Sequence, residues 1–327
     1  MIISKTPLRV SLFGGGSDIS TYYEMYGGEV LSFAINRFVY VTVHTRFDSG
    51  FRISYSKHEE ADSVKDIQHP LVRNCLEKLR YFDSLEITSI GEIPSKGSGL
   101  GSSSAFTVGL LNALHKFIDG EESLASTLAS EACEVEIDMS NELIGKQDQY
   151  ACAFGGMNRL FFQPDGSVGV NKIDLQSVEI KKFTDQLLLV FTGQTRDASI
   201  LLTEQFENFK SNSSAVENLH LVKEFVNQAE NFLRRSNFDS IGLLLDKAWE
   251  AKKKFHANVT NEKIDYMYSL AKKNGALGGK ILGAGGGGFL LLYAEKEAHP
   301  RIRKALSGSR FVDFSVEEEG SRILNVN

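Results

Sequence analysis

Lys96-Gly97-Ser98-Gly99-Leu100-Gly101-Ser102-Ser103-Ser104-Ala105 is the stretch whose reading decides the fold. Behind it, Phe106, Leu110, Leu114 and Phe117 recur at helical spacing. A glycine-rich loop that opens a helix is an anion site. The first backbone N–H groups of the helix have no intrahelical partner, and the helix dipole adds partial positive charge. Glycine lets the backbone wrap a phosphate without Cβ clashes. Serine hydroxyls can meet phosphate oxygens or a magnesium ion. The plainer alternative is a Gly/Ser turn in which Ser103 or Ser104 is an ordinary N-cap. The loop is not a Walker A motif, because Gly-x-x-x-x-Gly-Lys-Ser/Thr is absent. The chain also lacks His-Arg-Asp, Asp-Phe-Gly and Gly-x-Ser-x-Gly, which removes the protein-kinase and serine-hydrolase signatures.

Two further glycine clusters stand apart from this loop. Gly14-Gly15-Gly16-Ser17-Asp18 follows residues 8–13, an alternating strand pattern. Gly283-Ala284-Gly285-Gly286-Gly287-Gly288 matches Gly-x-Gly-x-x-Gly, but it runs into the strand-like Phe289-Leu290-Leu291-Leu292-Tyr293 instead of a helix. A dinucleotide fingerprint needs the opposite order, so that reading fails on context. What is left is a hairpin-type turn or a second backbone surface pressed against a ligand.

The whole chain frames these loops. Its 327 residues amount to roughly two domains. Apolar residues make up 42% and charged residues 24%, which excludes a disordered chain, a collagen or a coiled coil. The net charge of -6, with no basic stripe, speaks against nucleic acid as a partner. No run approaches about 18 apolar residues, so no membrane partner is expected. The N-terminus shows no secretory pattern. Three cysteines without a Cys-x-x-Cys pair point to a reducing, cytoplasmic setting. Seven scattered histidines give no zinc pattern.

Strands are expected at 8–13, 38–47, 51–55, 85–90, 187–191, 289–294 and 310–316. Helices are expected near 70–80, 105–117, 123–138, 197–210, 215–235, 238–257, 262–274 and 296–306, with Gly275 a C-cap. Asp165-Gly166 marks a hairpin. Strand and helix runs mix without strict alternation, so the class is α+β. A domain junction is expected near 175–186.

The three glycine-rich stretches, at 7–18, 94–105 and 278–289, come in the order that resembles the GHMP kinase superfamily. Lys5-Thr6-Pro7-Leu8-Arg9, Ile144-Gly145-Lys146-Gln147-Asp148-Gln149-Tyr150-Ala151 and Thr192-Gly193 with Arg196 add a closer resemblance to the D-glycero-D-manno-heptose 7-phosphate kinase group. The resemblance implies a two-domain α+β fold. Residues 1–180 would be like ribosomal protein S5 domain 2 and carry the ATP and catalytic motifs; residues 181–327 would be ferredoxin-like. It implies ATP and Mg2+, and a small-molecule sugar or sugar-phosphate acceptor. It implies phosphorylation of the anomeric hydroxyl of a heptose 7-phosphate to the 1,7-bisphosphate. A kinase of a free sugar (hexose, fucose-like or another heptose) and a non-catalytic sugar or nucleotide sensor are the alternatives. A homo-oligomer is compatible with the sequence.

Residue by residue, the resemblance makes Asp148 the base and Arg9 its cationic partner, with Lys5 a weaker alternative to Arg9. Lys96, Gly97, Ser98, Gly99, Leu100, Gly101, Ser102, Ser103 and Ser104 would hold the nucleotide phosphates. Ser103 and Glu136 would meet magnesium, with Ser104 and Glu134 as alternatives. Gly15, Gly16, Ser17, Asp18, Gly285 and Gly286 would bind the acceptor. Arg196 would bind the substrate phosphate, because a planar guanidinium suits a phosphate. Lys252, Lys253 and Lys254 could assist, although a lysine run on a helix is more commonly a solvated face. Many relatives carry Gly-Glu-His where this chain has Gly15-Gly16-Ser17. That departure speaks against galactokinase-type recognition and for the heptose-phosphate group.

Overall fold

The structure, a computed structural model, describes residues 1–94, 97–195 and 198–325. The strands of the first half are β1 (Ile2–Phe13), β2 (Gly28–Thr45), β3 (Phe51–Ser54), β4 (His58–Ala61), β5 (Leu85–Gly91), β6 (Met157–Phe162) and β7 (Val168–Lys172). Those of the second half are β8 (Leu187–Phe191), β9 (Ala276–Ile281), β10 (Phe289–Ala294), β11 (Arg310–Val312) and β12 (Arg322–Ile323). The helices are α1 (Ser20–Tyr26), α2 (Pro70–Lys78), α3 (Ser102–Asp119), α4 (Ala125–Cys133), α5 (Gln147–Phe154) and α6 (Ser177–Thr184). Next come α7 (Ala198–Ser211), α8 (Ser213–Arg234), α9 (Phe238–Lys252), α10 (Glu262–Lys273) and α11 (His299–Ala305).

The first sheet runs in the order β12-β1-β2-β5-β3-β4, with β6 and β7 hung on β2. β2 is long enough to carry two partners on one edge: β6 along Gly28–Phe33 and β5 along Val39–Thr45. Its β-branched and aromatic residues suit a pleated, buried surface, and Val30, Phe33, Val41 and Val43 are fully buried. The second sheet is β11-β8-β10-β9, antiparallel throughout. The chain passes between the sheets through α6, and the tail then returns β12 to the edge of β1. The expected strands and helices form, although β1 begins six residues and β2 ten residues before the expected start. The expected hairpin at Asp165-Gly166 joins β6 to β7, with Gly166 at φ 84.

One departure matters for the site. The helix expected over 123–138 stops as an α-helix at Cys133 and continues through Glu134–Met139 as a π-helix. Ser140 donates to the carbonyl of Val135 five residues back, at 3.1 Å. The wider turn re-aims the side chains that follow it.

The two halves are tied by polar bonds as well as by packing. Arg159 on β6 pairs with Glu230 on α8 at 2.7 Å. Lys280 on β9 reaches the carbonyls of Ser11 and Leu12 on β1 at 3.1 and 3.0 Å. Cys75, Cys133 and Cys152 are buried and unpaired. No helix among the described residues is long and apolar enough to cross a membrane.

Candidate active site

A cleft of about 1270 Å³ lies where the three glycine-rich loops converge. Its first wall is the loop at 97–101 and the start of α3. Gly97, Gly99 and Gly101 have φ of 65, 77 and 74. This left-handed backbone is open to glycine at no steric cost. Gly101 is the N-cap of α3 and makes no side-chain cap bond. The plain N-cap reading of Ser103 or Ser104 is therefore corrected: both serines are already inside the helix. The first N–H groups of α3 carry no side-chain cap and stand at the cleft, which is the geometry of a phosphate cradle. Ser98 and Ser102 bond to each other at 3.0 Å and brace the loop from within. Lys96 lies outside the described residues.

The loop at 97–101 also rests on the third glycine cluster. A Cβ on Gly99 would stand 2.4 Å from the carbonyl oxygen of Leu282, and one on Gly283 would stand 2.6 Å from Cα of Gly99. Gly283 and Ala284 line the cleft. Gly285 and Gly286 do not. Gly286 donates to the carbonyl of Val259 at 2.8 Å and accepts from Asn261 at 3.1 Å, and a Cβ on Gly285 would stand 2.6 Å from that same Val259 carbonyl. The turn packs them against the segment before α10, so the structure does not bring these two proposed acceptor-binding residues to the cleft.

At the floor of the cleft, Arg9 on β1 grips Asp148 in the first turn of α5. Nε donates to Oδ1 at 2.7 Å and Nη2 to Oδ2 at 2.6 Å. Nη1 donates to the carbonyl of Gly99 at 2.6 Å. The arginine is 4% exposed and the aspartate 23%, so the carboxylate is the partner that opens to the cleft. Two parallel bonds fix its plane. Lys5 does not take this place; its Nζ lies 3.9 Å over the ring of Phe38.

Glu136 lies under the start of α3, buried, with four donors on its carboxylate. Oε1 accepts from Ser103 at 3.1 Å and Thr107 at 2.9 Å. Oε2 accepts from Ser104 at 2.7 Å and Gln149 at 2.5 Å. Burial pushes its carboxyl above the usual range, and these four bonds oppose the rise. The π turn separates it from Glu134, which is exposed and paired with Lys78 at 2.6 Å. Glu136, not Glu134, lines the cleft. Magnesium takes hard oxygens and commonly keeps one or two carboxylates plus substrate phosphates. Ser103, the exposed serine of the three, and Oε1 of Glu136 fit that donor set beside the phosphate cradle. Ser104 is buried and turned to Oε2.

The opposite side of the cleft is the loop 14–18. Asp18 is buried; it accepts from the backbone of Gly16 at 2.9 Å and Gln147 at 3.2 Å, and from Gln147 Nε2 at 3.1 Å. It therefore sits on the same helix terminus as Asp148. Burial raises its carboxyl, the Gly16 N–H opposes this, and the Asp148 charge adds to the rise. Gly15, Gly16 and Asp18 line the cleft. Ser17 does not: its hydroxyl exchanges hydrogen bonds with the backbone of Glu29, at 2.8 and 3.0 Å. It staples the loop to β2. Arg196 lies outside the described residues; Thr195 beside it lines the cleft.

The lysine run divides. Lys254 is exposed and Lys253 pairs with Glu250 at 2.8 Å, as a solvated face would. Lys252 is instead buried in the cleft wall, a correction to the solvated reading. Sequence reasoning missed Lys280, Gln147 and Ser11, which also line the cleft. Lys280 carried a signal, since it stands inside the third motif directly after Gly278-Gly279.

Comparison with known proteins agrees with this geometry. The GHMP kinases N terminal domain matches residues 70–156, and the GHMP kinases C terminal domain matches residues 229–313. A D-glycero-alpha-D-manno-heptose 7-phosphate kinase of Campylobacter jejuni is 31% identical, over 98% of this chain and 97% of its own. The chain belongs to the GHMP kinase family. A Bacteroides fragilis L-fucokinase/L-fucose-1-P guanylyltransferase is 27% identical over 99% of this chain, but only 38% of that longer protein is matched. The crystal structure of a D-glycero-D-manno-heptose 1-phosphate kinase from Bacteroides thetaiotaomicron superimposes with a TM-score of 0.82 at 25% identity, covering 100% of both chains. A mevalonate kinase structure shares the fold, with a TM-score of 0.73 at 20% identity over 98% of this chain and 100% of its own. The fold is thus the two-domain α+β GHMP kinase fold, and this family member is an ATP-dependent kinase.

Proposed function

We propose that the protein is a sugar-phosphate kinase that transfers the γ-phosphoryl group of ATP to the anomeric hydroxyl of D-glycero-D-manno-heptose 7-phosphate, giving the 1,7-bisphosphate. The observation that carries this reading is the Arg9–Asp148 pair, whose guanidinium also holds the carbonyl of Gly99 in the phosphate loop. One residue thereby links the base to the cradle. The kinship to the heptose 7-phosphate kinase of Campylobacter jejuni supports the choice of acceptor.

Asp148 accepts the proton of the acceptor hydroxyl as its oxygen bonds to the γ-phosphorus and the bond to the ADP oxygen breaks. Arg9 holds the carboxylate through two parallel bonds and aims it. The uncapped N–H groups at 102–104, with the glycines of the loop and Lys96, hold the nucleotide phosphates. Ser103 and Glu136 would hold the magnesium ion, which when bound neutralises phosphate charge. Asp18, with Gly15 and Gly16, receives the sugar hydroxyls. Arg196, which follows Thr195 in the chain, is proposed for the 7-phosphate. We read residues 1–180 and 181–327 as the two domains, and the buried free cysteines support a cytoplasmic location.

The test is ADP release with Mg·ATP across mannose, fucose, galactose, D-glycero-D-manno-heptose 7-phosphate and sedoheptulose 7-phosphate. Selective turnover of the heptose phosphate is expected, and Arg196→Ala should raise its KM. Turnover of a neutral sugar, indifferent to Arg196→Ala, would move the enzyme to the free-sugar kinases. No turnover of any sugar would sink the reading.

A further inference from the structure

We infer that Lys252 and Lys280, with the hydroxyl of Ser11, form a buried anion site on the acceptor side of the cleft, built for a phosphate monoester carried by the sugar. The inference rests on the sugar-phosphate reading above and says which buried groups meet that phosphate.

Lys252 is 8% exposed and Lys280 is 5% exposed. Lys252 donates to the carbonyls of Ile281 and Gly283, at 3.1 and 2.5 Å. Lys280 donates to those of Ser11 and Leu12. An ammonium has three donors, so each lysine retains one. Among the described residues neither is joined to a carboxylate, whereas the charge of Arg9 is answered by Asp148. A buried charge held only by neutral carbonyls is unfavourable until an anion joins it. The charge of Arg9 acts on both ammoniums, and Lys280 also feels Lys252 and, in the opposite sense, Asp18. Burial, then these neighbouring cations, lowers both ammoniums from their ordinary range, as a site lacking its anion requires.

Placement selects the acceptor over the nucleotide. The nucleotide phosphates already have the start of α3. Ser11 and Leu12, which Lys280 holds, lead directly into the loop 14–18. Lys252 ends α9 three residues before Phe255, whose ring lies 3.5 Å from where a Cβ on Gly16 would stand. The Ser11 hydroxyl is buried without a hydrogen-bond partner and also lines the cleft. A phosphate dianion supplies what all three groups lack: acceptor oxygens and negative charge.

The experiment compares wild type, Lys252→Met and Lys280→Met on heptose 7-phosphate and on the same heptose without its phosphate. The KM for heptose 7-phosphate should rise about ten- to a hundredfold, the loss of one or two charge-assisted bonds. The preference for the phosphorylated over the free sugar should fall by the same factor, with a much smaller change in the KM for ATP. Equal loss of kcat on both acceptors, or a parallel rise in the KM for ATP, overturns the site by moving the lysines to the transferred or nucleotide phosphates. If wild type itself shows no preference for the phosphorylated sugar, the acceptor reading fails instead. Should a variant not fold, wild type still decides. Inorganic phosphate must inhibit competitively against heptose 7-phosphate; competition against ATP alone overturns the site.

Discussion

The two walls of the cleft handle charge in opposite ways. On the wall built from the first half, each charge has its answer: Arg9 grips Asp148, and Glu136 carries four donors. On the wall built from the second half, Lys252 and Lys280 hold only carbonyl oxygens. The first wall is complete without a ligand and so is preorganised for chemistry. The second is incomplete and so is poised for a ligand. The contrast teaches that a paired charge and an unpaired one at equal burial carry different information.

The sharpest way to break the comparison is Asp148→Asn. Removing the proposed base should lower kcat by about a thousandfold, within the usual range for acid–base groups, while ATP binding measured by calorimetry persists. An unchanged kcat would remove Asp148 from the chemistry. Arg9→Lys should cost about a hundredfold in kcat, because one ammonium cannot span both carboxylate oxygens and Gly99 together. Near-normal turnover would show that charge alone suffices.

Glu136→Gln separates stability from activity on the first wall. Burial raises the Glu136 carboxyl, so the folded state holds its proton more tightly than the unfolded one, and the ionised form at neutral pH is a net burden. The variant should melt at the same or a higher temperature, yet need about tenfold more magnesium for half-maximal rate. A lower melting temperature with normal magnesium dependence would make Glu136 purely structural.

Lys252→Met tests the second wall by pH. The ammonium titrates at 10.5 when unperturbed and at about 7 in the folded chain, chiefly through burial and then through Arg9. Between those values the unfolded chain binds more protons, so this group's contribution to stability improves as pH rises. Its penalty is fully present below about pH 7 and gone above 10.5. The melting temperature of Lys252→Met relative to wild type should therefore be highest near pH 7 and decline towards pH 10. A flat difference would mean that Lys252 keeps its ordinary titration range in the folded cleft, with its ammonium protonated in both states across that window. The smallest effect belongs outside the cleft. Glu134→Gln breaks an exposed pair with Lys78 and should change stability by under about 1 kcal/mol, with no change in rate.

Much of the site was legible because its chemistry is local in the chain. The loop 97–104 brings its glycines, hydroxyls and helix start together within eight residues, and physics needs nothing distant to make it an anion cradle. The strand-to-loop step at 8–18 and the turn before β10 are legible for the same reason. Sequence could not choose between Glu134 and Glu136. Both lie on one helical stretch, and a π turn, which has no compositional mark here, sends one to Lys78 and the other under α3. Nor could it separate Gly285 and Gly286 from Gly283, since all read as glycine in a turn and only the packing against Val259 divides them.

The sequence by itself determined the glycine-rich loop that opens α3, the α+β class and the kinase family, because backbone freedom, alternation and motif order are properties of neighbours. Only the tertiary structure decided which of three consecutive lysines is buried and what faces it. The charge of Lys252 is set by its burial and then by a guanidinium from β1, more than two hundred residues away, and no pattern along the chain records that meeting.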